Sequence, residues 1–153
     1  MKGFGNNDRT NKKSTEKKVK SIQIDKLISN ALSLHSNGKI KEASEIYNFL
    51  IKNKIYDPRV LNNLGSIYSQ IKQFDKAILL FNESIKKFPN SIEAYSNLAS
   101  VLVNKGKSDT AKKILNKAIE LNPNYLKPYS NLAGIYVGEG DFKEAEVLLR
   151  KSV

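Results

Sequence analysis

The sequence predicts an all-α protein built as a solenoid of helix-turn-helix repeats, and three observations carry that expectation. Ala43, Ala77, Ala111 and Ala145 recur at an interval of 34 residues, and a fixed period of roughly 20–50 residues marks stacked repeats. Other columns keep the same register: Leu27, Leu61, Tyr95 and Tyr129; Asn30, Leu64, Leu98 and Leu132; Ala31, Gly65, Ala99 and Ala133; Leu34, Tyr68, Leu102 and Tyr136. Within a unit the apolar residues return every three or four positions, which puts them on one face of a helix.

The units follow in order along the chain. Residues 1–21 form a leader of Lys, Asn, Ser and Thr with few apolar residues and no helical period, a composition that predicts disorder. Residues 24–57 form a divergent first unit. It keeps Leu27, Ala31, Leu34, Gly38, Ala43 and Tyr47, but has Asn30 where Leu is expected and Ile55 where the next units have Pro89 and Pro123. End repeats are commonly atypical because one face lacks a neighbour. Residues 58–91 form the second unit. Pro58 suits a first helical turn, and Val60, Leu61, Leu64, Ile67, Tyr68 and Ile71 line one helix face. After the polar break Lys72-Gln73, residues Ala77, Ile78, Phe81 and Ile85 line a second helix, which Phe88-Pro89-Asn90 ends. Residues 92–125 repeat this plan and end at Asn122-Pro123. Residues 126–153 repeat it again and stop inside the second helix. Gly38, Gly106 and Gly140 share the turn column with Lys72, where positive φ favours glycine.

The small columns imply a geometry. Ala31, Gly65, Ala99 and Ala133 are expected to face the partner helix of their own unit, and Ala43, Ala77, Ala111 and Ala145 to face back. Ala77→Leu should overpack such a contact at a cost of about 1–3 kcal/mol. An unchanged melting temperature for this variant would remove the expectation.

These columns resemble the tetratricopeptide repeat, TPR. The resemblance is carried by Leu61-x-x-Leu64-Gly65-x-x-Tyr68 with Ala77, Phe81 and Pro89, and by Tyr95-x-x-Leu98-Ala99 with Gly106, Ala111, Ala118 and Pro123. Tyr129-x-x-Leu132-Ala133-x-x-Tyr136 with Gly140 and Ala145 is a third instance, and the match covers about five-sixths of the chain. It implies a right-handed superhelix with the first helix of each pair on the concave side. It also implies a scaffold that binds a protein or an extended peptide rather than a catalyst.

The concave register presents Asn63, Asn97 and Asn131, one in each of the second to fourth units, among Asn62, Ser66, Gln70, Ser96, Ser100, Asn104 and Ser130. A primary amide both donates and accepts, so a ladder of amides can pair with a peptide backbone whatever its sequence. This column resembles the asparagine ladder in the TPR superhelix of O-GlcNAc transferase and related bacterial proteins. The alternative is that the same amides bond helix ends or neighbouring repeats. A second groove type, which grips a C-terminal carboxylate with Lys and Arg as chaperone co-factors do, is poorly matched. Ile28, Leu32, Glu93 and Asn97 occupy its positions; one unit later they are Asn62, Ser66, Lys127 and Asn131. A carboxylate needs charge-assisted donors.

Composition narrows the function classes. The chain has no cysteine and one histidine, His35. That removes disulfides, thiol chemistry and cysteine or multi-histidine metal sites. His35 reads as a core-edge or solvated residue. Gly138-Glu139-Gly140-Asp141 lacks the third glycine and the strand of a dinucleotide fingerprint and reads as an inter-helix turn. No enzyme, cofactor, metal or small-molecule substrate is expected. No apolar run approaches the ~18 residues of a membrane span, and a cytoplasmic location is expected. The net charge of +11 is uneven, with seven Lys/Arg against two Asp/Glu in residues 1–20. The leader reads first as a solvated arm and only secondarily as a contact for nucleic acid or an acidic surface. Two further readings follow from the chain ending at Val153 without a polar capping helix: the substrate-recruiting part of a larger glycosyl- or sulfotransferase, or a module that self-associates through its C-terminal end face.

Overall fold

A computed structural model describes residues 7–151, with side chains from residue 20 onward. Among the described residues there are eight helices and no strand. They are α1 (Asn7–Ser36), α2 (Ile40–Lys52), α3 (Pro58–Gln70), α4 (Phe74–Lys87), α5 (Ile92–Asn104), α6 (Ser108–Leu121), α7 (Lys127–Glu139) and α8 (Phe142–Lys151). The chain divides into two compact units, the first ending at Leu50 and the second beginning at Ile51.

In the first unit α1 and α2 form a hairpin. Gly38 takes φ 78° at the turn, and Lys39 N–H donates to the Leu34 carbonyl at 2.9 Å. Ala31 and Ala43 are fully buried, and the Tyr47 hydroxyl donates to the Ala31 carbonyl at 3.3 Å. His35 stands edge-on to the Tyr47 ring, as a core-edge histidine should. α1 begins at Asn7, within the leader that precedes the first hairpin. Low apolar content argues against a core, not against extending a helix already formed. No Gly or Pro interrupts Asn7–Ser36, Lys, Arg and Glu are good helix formers, and each added residue gains one backbone hydrogen bond once a helix is nucleated. Residues 1–6, and the side chains that would carry the leader's charge as far as residue 19, lie outside the described residues.

The second unit is a stack of three hairpins. Its first helix starts sharply because Asp57 caps it: the carboxylate accepts from Arg59 N–H at 2.8 Å while Pro58 fills the first helical position. Arg59 also clasps the same carboxylate through Nε and Nη2 at 3.0 and 2.7 Å. Burial alone would push the Asp57 pKa up, but the Arg59 side-chain and backbone hydrogen bonds outweigh it, and the group sits below the usual carboxylate range. The inter-helix turns close at Lys72, Gly106 and Gly140 with φ of 61°, 72° and 82°. Lys72 therefore holds a left-handed conformation that costs an L-residue about 1–2 kcal/mol. Lys72→Gly should stabilise the protein by about 1 kcal/mol, read as a higher midpoint in urea unfolding; a lower midpoint would show that the lysine side chain contributes more than its backbone costs.

Each helix packs on its chain neighbours: α3 on α4, α4 on α5, α5 on α6, α6 on α7 and α7 on α8. In addition α3 meets α5, and α5 meets α7, whereas α4, α6 and α8 make no comparable contacts with one another among the described residues. First helices that touch across repeats while second helices splay apart curve this unit with α3, α5 and α7 on the inside. The core runs through the stack as Ala77, Phe81, Leu98, Ala99, Val101, Leu102, Ala111, Leu115, Leu132 and Ile135. Gly65 faces its partner helix so closely that an added Cβ would lie 2.6 Å from Cε1 of Phe81. Ion pairs also tie neighbouring turns, Lys105 to Asp75 and Lys112 to Glu139, but both are solvent-facing and contribute little.

Candidate functional site

The inner face of the second unit carries the asparagine column, one residue on each of α3, α5 and α7. Asn63, Asn97 and Asn131 are all half-buried. Their surroundings differ. The Asn63 side chain makes no hydrogen bond among the described residues. Asn97 Oδ1 accepts from Lys127 Nζ at 2.9 Å. Asn131 Nδ2 reaches the Ser96 carbonyl at 3.3 Å and Ser100 Oγ at 3.4 Å, across the contact between α5 and α7. Part of the column therefore ties neighbouring repeats together, as the alternative reading of these amides anticipates, while each amide keeps at least one polar group over.

Beside Asn131 lies a groove of about 310 Å³. Ser100, Val103 and Asn104 of α5 form one wall with Ala99, and Ser130, Asn131, Gly134 and Ile135 of α7 form the other, with Leu115 of α6 beneath. No charged side chain lines it, in a protein of net charge +11. Its mouth is polar and its floor apolar. Gly134 leaves it open, since a Cβ there would meet nothing within 4 Å. Ligand pockets commonly begin near ~300 Å³, so this groove could take a side chain or two rather than a whole small molecule.

The structure brings Ser100, Asn104, Ser130 and Asn131 together at that groove, while on α3 Ser66 is half-buried and Gln70 exposed. Two expected groove residues need correction. Asn62 is 2% exposed and Ser96 fully buried, so neither can meet a peptide. Within the second unit their column is Asn62, Ser96 and Ser130, of which Asn62 and Ser96 are buried and Ser130 is exposed. Asn62 Nδ2 donates to Ser91 Oγ at 3.2 Å, but Asn62 Oδ1 and Ser96 Oγ have no partner among the described residues. An unmade buried hydrogen bond costs about 1–3 kcal/mol. Ser96→Ala should therefore leave thermal stability unchanged or raise it; a fall of more than about 1 kcal/mol would mean that the hydroxyl is satisfied.

Sequence reasoning passed over Gly134 and Val103. The signal for Gly134 was its column, Leu32, Ser66, Ser100 and Gly134, which loses its side chain in the last repeat. Lys127 was considered only as a carboxylate ligand. Its bond to Asn97 Oδ1 was missed because it links positions 30 residues apart. Val147 is 50% exposed, but Leu79 in mid-stack is 69% exposed, so exposure of an apolar residue on a second helix is not by itself an end effect. Phe142, 67% exposed where its counterpart Phe74 packs on the core, and Leu149, 46% exposed where its counterparts Phe81 and Leu115 are buried, stand out. Among the described residues no cluster of His, Asp and Glu could hold a metal ion, and no helix is long and apolar enough to cross a membrane.

Comparison with known proteins places this architecture. No curated protein matches the sequence significantly. Among solved structures, a crystal structure of MamA superposes with a TM-score of 0.71 at 21% identity, covering 99% of this chain and 94% of that one. MamA from Desulfovibrio magneticus RS-1 gives 0.71 at 20% identity over 82% of this chain and 71% of that one. A thermophilic TPR protein of Thermus thermophilus gives 0.74 at 19% identity over 84% and 72%. At such identities the likeness is one of fold. Two families match by sequence, a tetratricopeptide repeat family over residues 102–152 and the family described as Psidin, N-terminal TPR repeats region, over residues 8–126. These matches are to TPR repeats in general and to the Psidin region rather than to the O-GlcNAc transferase repeats that the asparagine column resembles. The stacked hairpins, the small-residue columns and the match over residues 8–126 agree: the chain belongs to the tetratricopeptide repeat proteins, in the family of the Psidin N-terminal TPR repeats region.

Proposed function

We propose that this chain is a TPR scaffold that binds an extended, largely uncharged peptide segment along the inner faces of α3, α5 and α7, in a cytoplasmic setting that its lack of cysteine suits. The observation that carries the reading is the uncharged groove between α5 and α7, with Asn131 at its mouth and Asn97 and Asn63 continuing the column. Amides supply backbone hydrogen bonds without charge, and Val103, Ile135 and the space over Gly134 supply a shallow apolar seat. A carboxylate-gripping groove has less support, because Lys127 is already bonded to Asn97. The repeats are taken as 24–57, 58–91, 92–125 and 126–153. Self-association would draw on Phe142, and a strict monomer in sedimentation at high concentration would remove it.

The test compares proteins captured from a lysate by the native chain, by Asn63→Ala/Asn97→Ala/Asn131→Ala, and by Gly134→Leu, with circular dichroism confirming that all three fold. Gly134→Leu adds a side chain toward open space and replaces a poor helix former by a good one, so it should obstruct the groove without unfolding the repeat. Loss of the same captured proteins with both variants is the expected result. Survival of those proteins with both would place binding elsewhere on the molecule.

A further inference from the structure

Resting on the peptide-binding reading above, we infer that the asparagine column is polarised: Asn97 is held to donate to a ligand carbonyl, Asn131 is held to accept from a ligand N–H, and Lys127 is the positioning residue that fixes Asn97. The two ends of a primary amide look alike in shape, so the partner must decide which end faces it. For Asn97 the partner is an ammonium, which only donates; the atom 2.9 Å from Lys127 Nζ is therefore the oxygen, and the NH2 is left for a ligand. For Asn131 the partner is the main-chain carbonyl of Ser96, which only accepts; the atom facing it at 3.3 Å is therefore the nitrogen. The second N–H of Asn131 meets Ser100 Oγ at 3.4 Å. That hydroxyl donates its own proton to the Ser96 carbonyl at 3.1 Å, so its lone pair faces Asn131. Both hydrogens of Asn131 are taken, and its oxygen is left.

The consequence is a pattern in the ligand. Packed helices lie about 8–10 Å apart, and an extended chain advances about 3.3 Å per residue. A ligand carbonyl over Asn97 is then about three residues from a ligand N–H over Asn131. The second position must keep its N–H, which excludes proline there, whereas Asn63, with no internal bond, imposes no such choice. Because no charged residue lines the groove beside Asn131, the part of the segment seated there is uncharged, with an accessible N–H at one fixed place.

The probe is the capped peptide acetyl-Ser-Thr-Val-Gln-Ala-Ser-Leu-Thr-amide, titrated to millimolar concentration and followed by proton–nitrogen NMR of the asparagine side-chain amides. A series of analogues replaces one backbone N–H at a time by an ester oxygen. The expected result is binding that the triple asparagine variant abolishes. One ester position should lose about three- to tenfold in affinity, the worth of one hydrogen bond, and that loss should vanish in Asn131→Ala. Lys127→Met should weaken binding by a similar factor while Lys127→Arg, which keeps a donor, should not. If the triple variant abolishes binding but every ester behaves alike and Lys127→Met is silent, the polarity is overturned and the peptide-binding reading stands. If the probe does not bind the native chain at all, both are overturned.

Discussion

Phe81→Ala is expected to cost about 3–5 kcal/mol, the usual range for deleting a buried aromatic ring. The magnitude follows from position. Phe81 is 1% exposed on α4 and belongs to the continuous core that includes Leu98, Leu102 and Leu115 from the following hairpin. Its ring also fills the space that Gly65 leaves on α3. The deletion thus opens a cavity both inside the α3–α4 hairpin and at its contact with α5. Stacked repeats gain their stability from such nearest-neighbour contacts, so damage at one joint weakens two repeats. Against a total of about 5–15 kcal/mol for a typical domain, the loss should bring the melting transition down sharply or split it, with α3–α4 unfolding before the later hairpins. Circular dichroism melts of the native chain and the variant would show this. A loss below about 1 kcal/mol would mean that the site collapses around the deletion or that Phe81 is not held as described.

How far the sequence discloses this can be argued from the same residues. Phe81 and Gly65 are legible because burial leaves a periodic mark. Large and small residues return in fixed columns, and the helices begin at Pro58, Ile92 and Lys127 accordingly. Polar residues leave a weaker mark. Asn62 and Asn63 are adjacent on one helix, about 100° apart around its axis, and both look like surface residues by type. Only the packing of α3 on α5 separates them, burying Asn62 and leaving Asn63 half-open. The one clue was Ile28, an apolar member of the Asn62 column. The helical start at Asn7 was hidden for another reason: a polar stretch without an apolar face has no period to read, yet nothing in it prevents a neighbouring helix from extending through it. The bonds of Asn97 and Asn131 were equally hidden, since they join positions 30 and 35 residues apart whose approach depends on how hairpins stack.

The second large effect is expected to change sign with its neighbour. Gly65→Ala places a methyl 2.6 Å, 2.9 Å and 3.0 Å from three atoms of the Phe81 ring. Overpacking of that severity falls at the upper end of about 1–3 kcal/mol. Opposing it, alanine is better than glycine in a helix by about 1 kcal/mol. The clash wins, and the variant should lose about 2 kcal/mol net. The next repeat shows a relaxed solution at the equivalent positions, with Ala99 and Leu115 both fully buried in the core. Phe81→Leu should leave room for the methyl. In that background Gly65→Ala should become neutral or stabilising by up to about 1 kcal/mol, since only the propensity gain remains. The coupling between the two sites would then be about 2–3 kcal/mol, at the high end for residues in contact, and denaturant unfolding of the four proteins in the cycle measures it. Additive effects would mean that Gly65 is small for a reason other than the Phe81 ring. A reversal of sign would show that the glycine and the phenylalanine were fitted to one another, and that the Ala–Leu pairing of the following repeat is a second answer to the same contact.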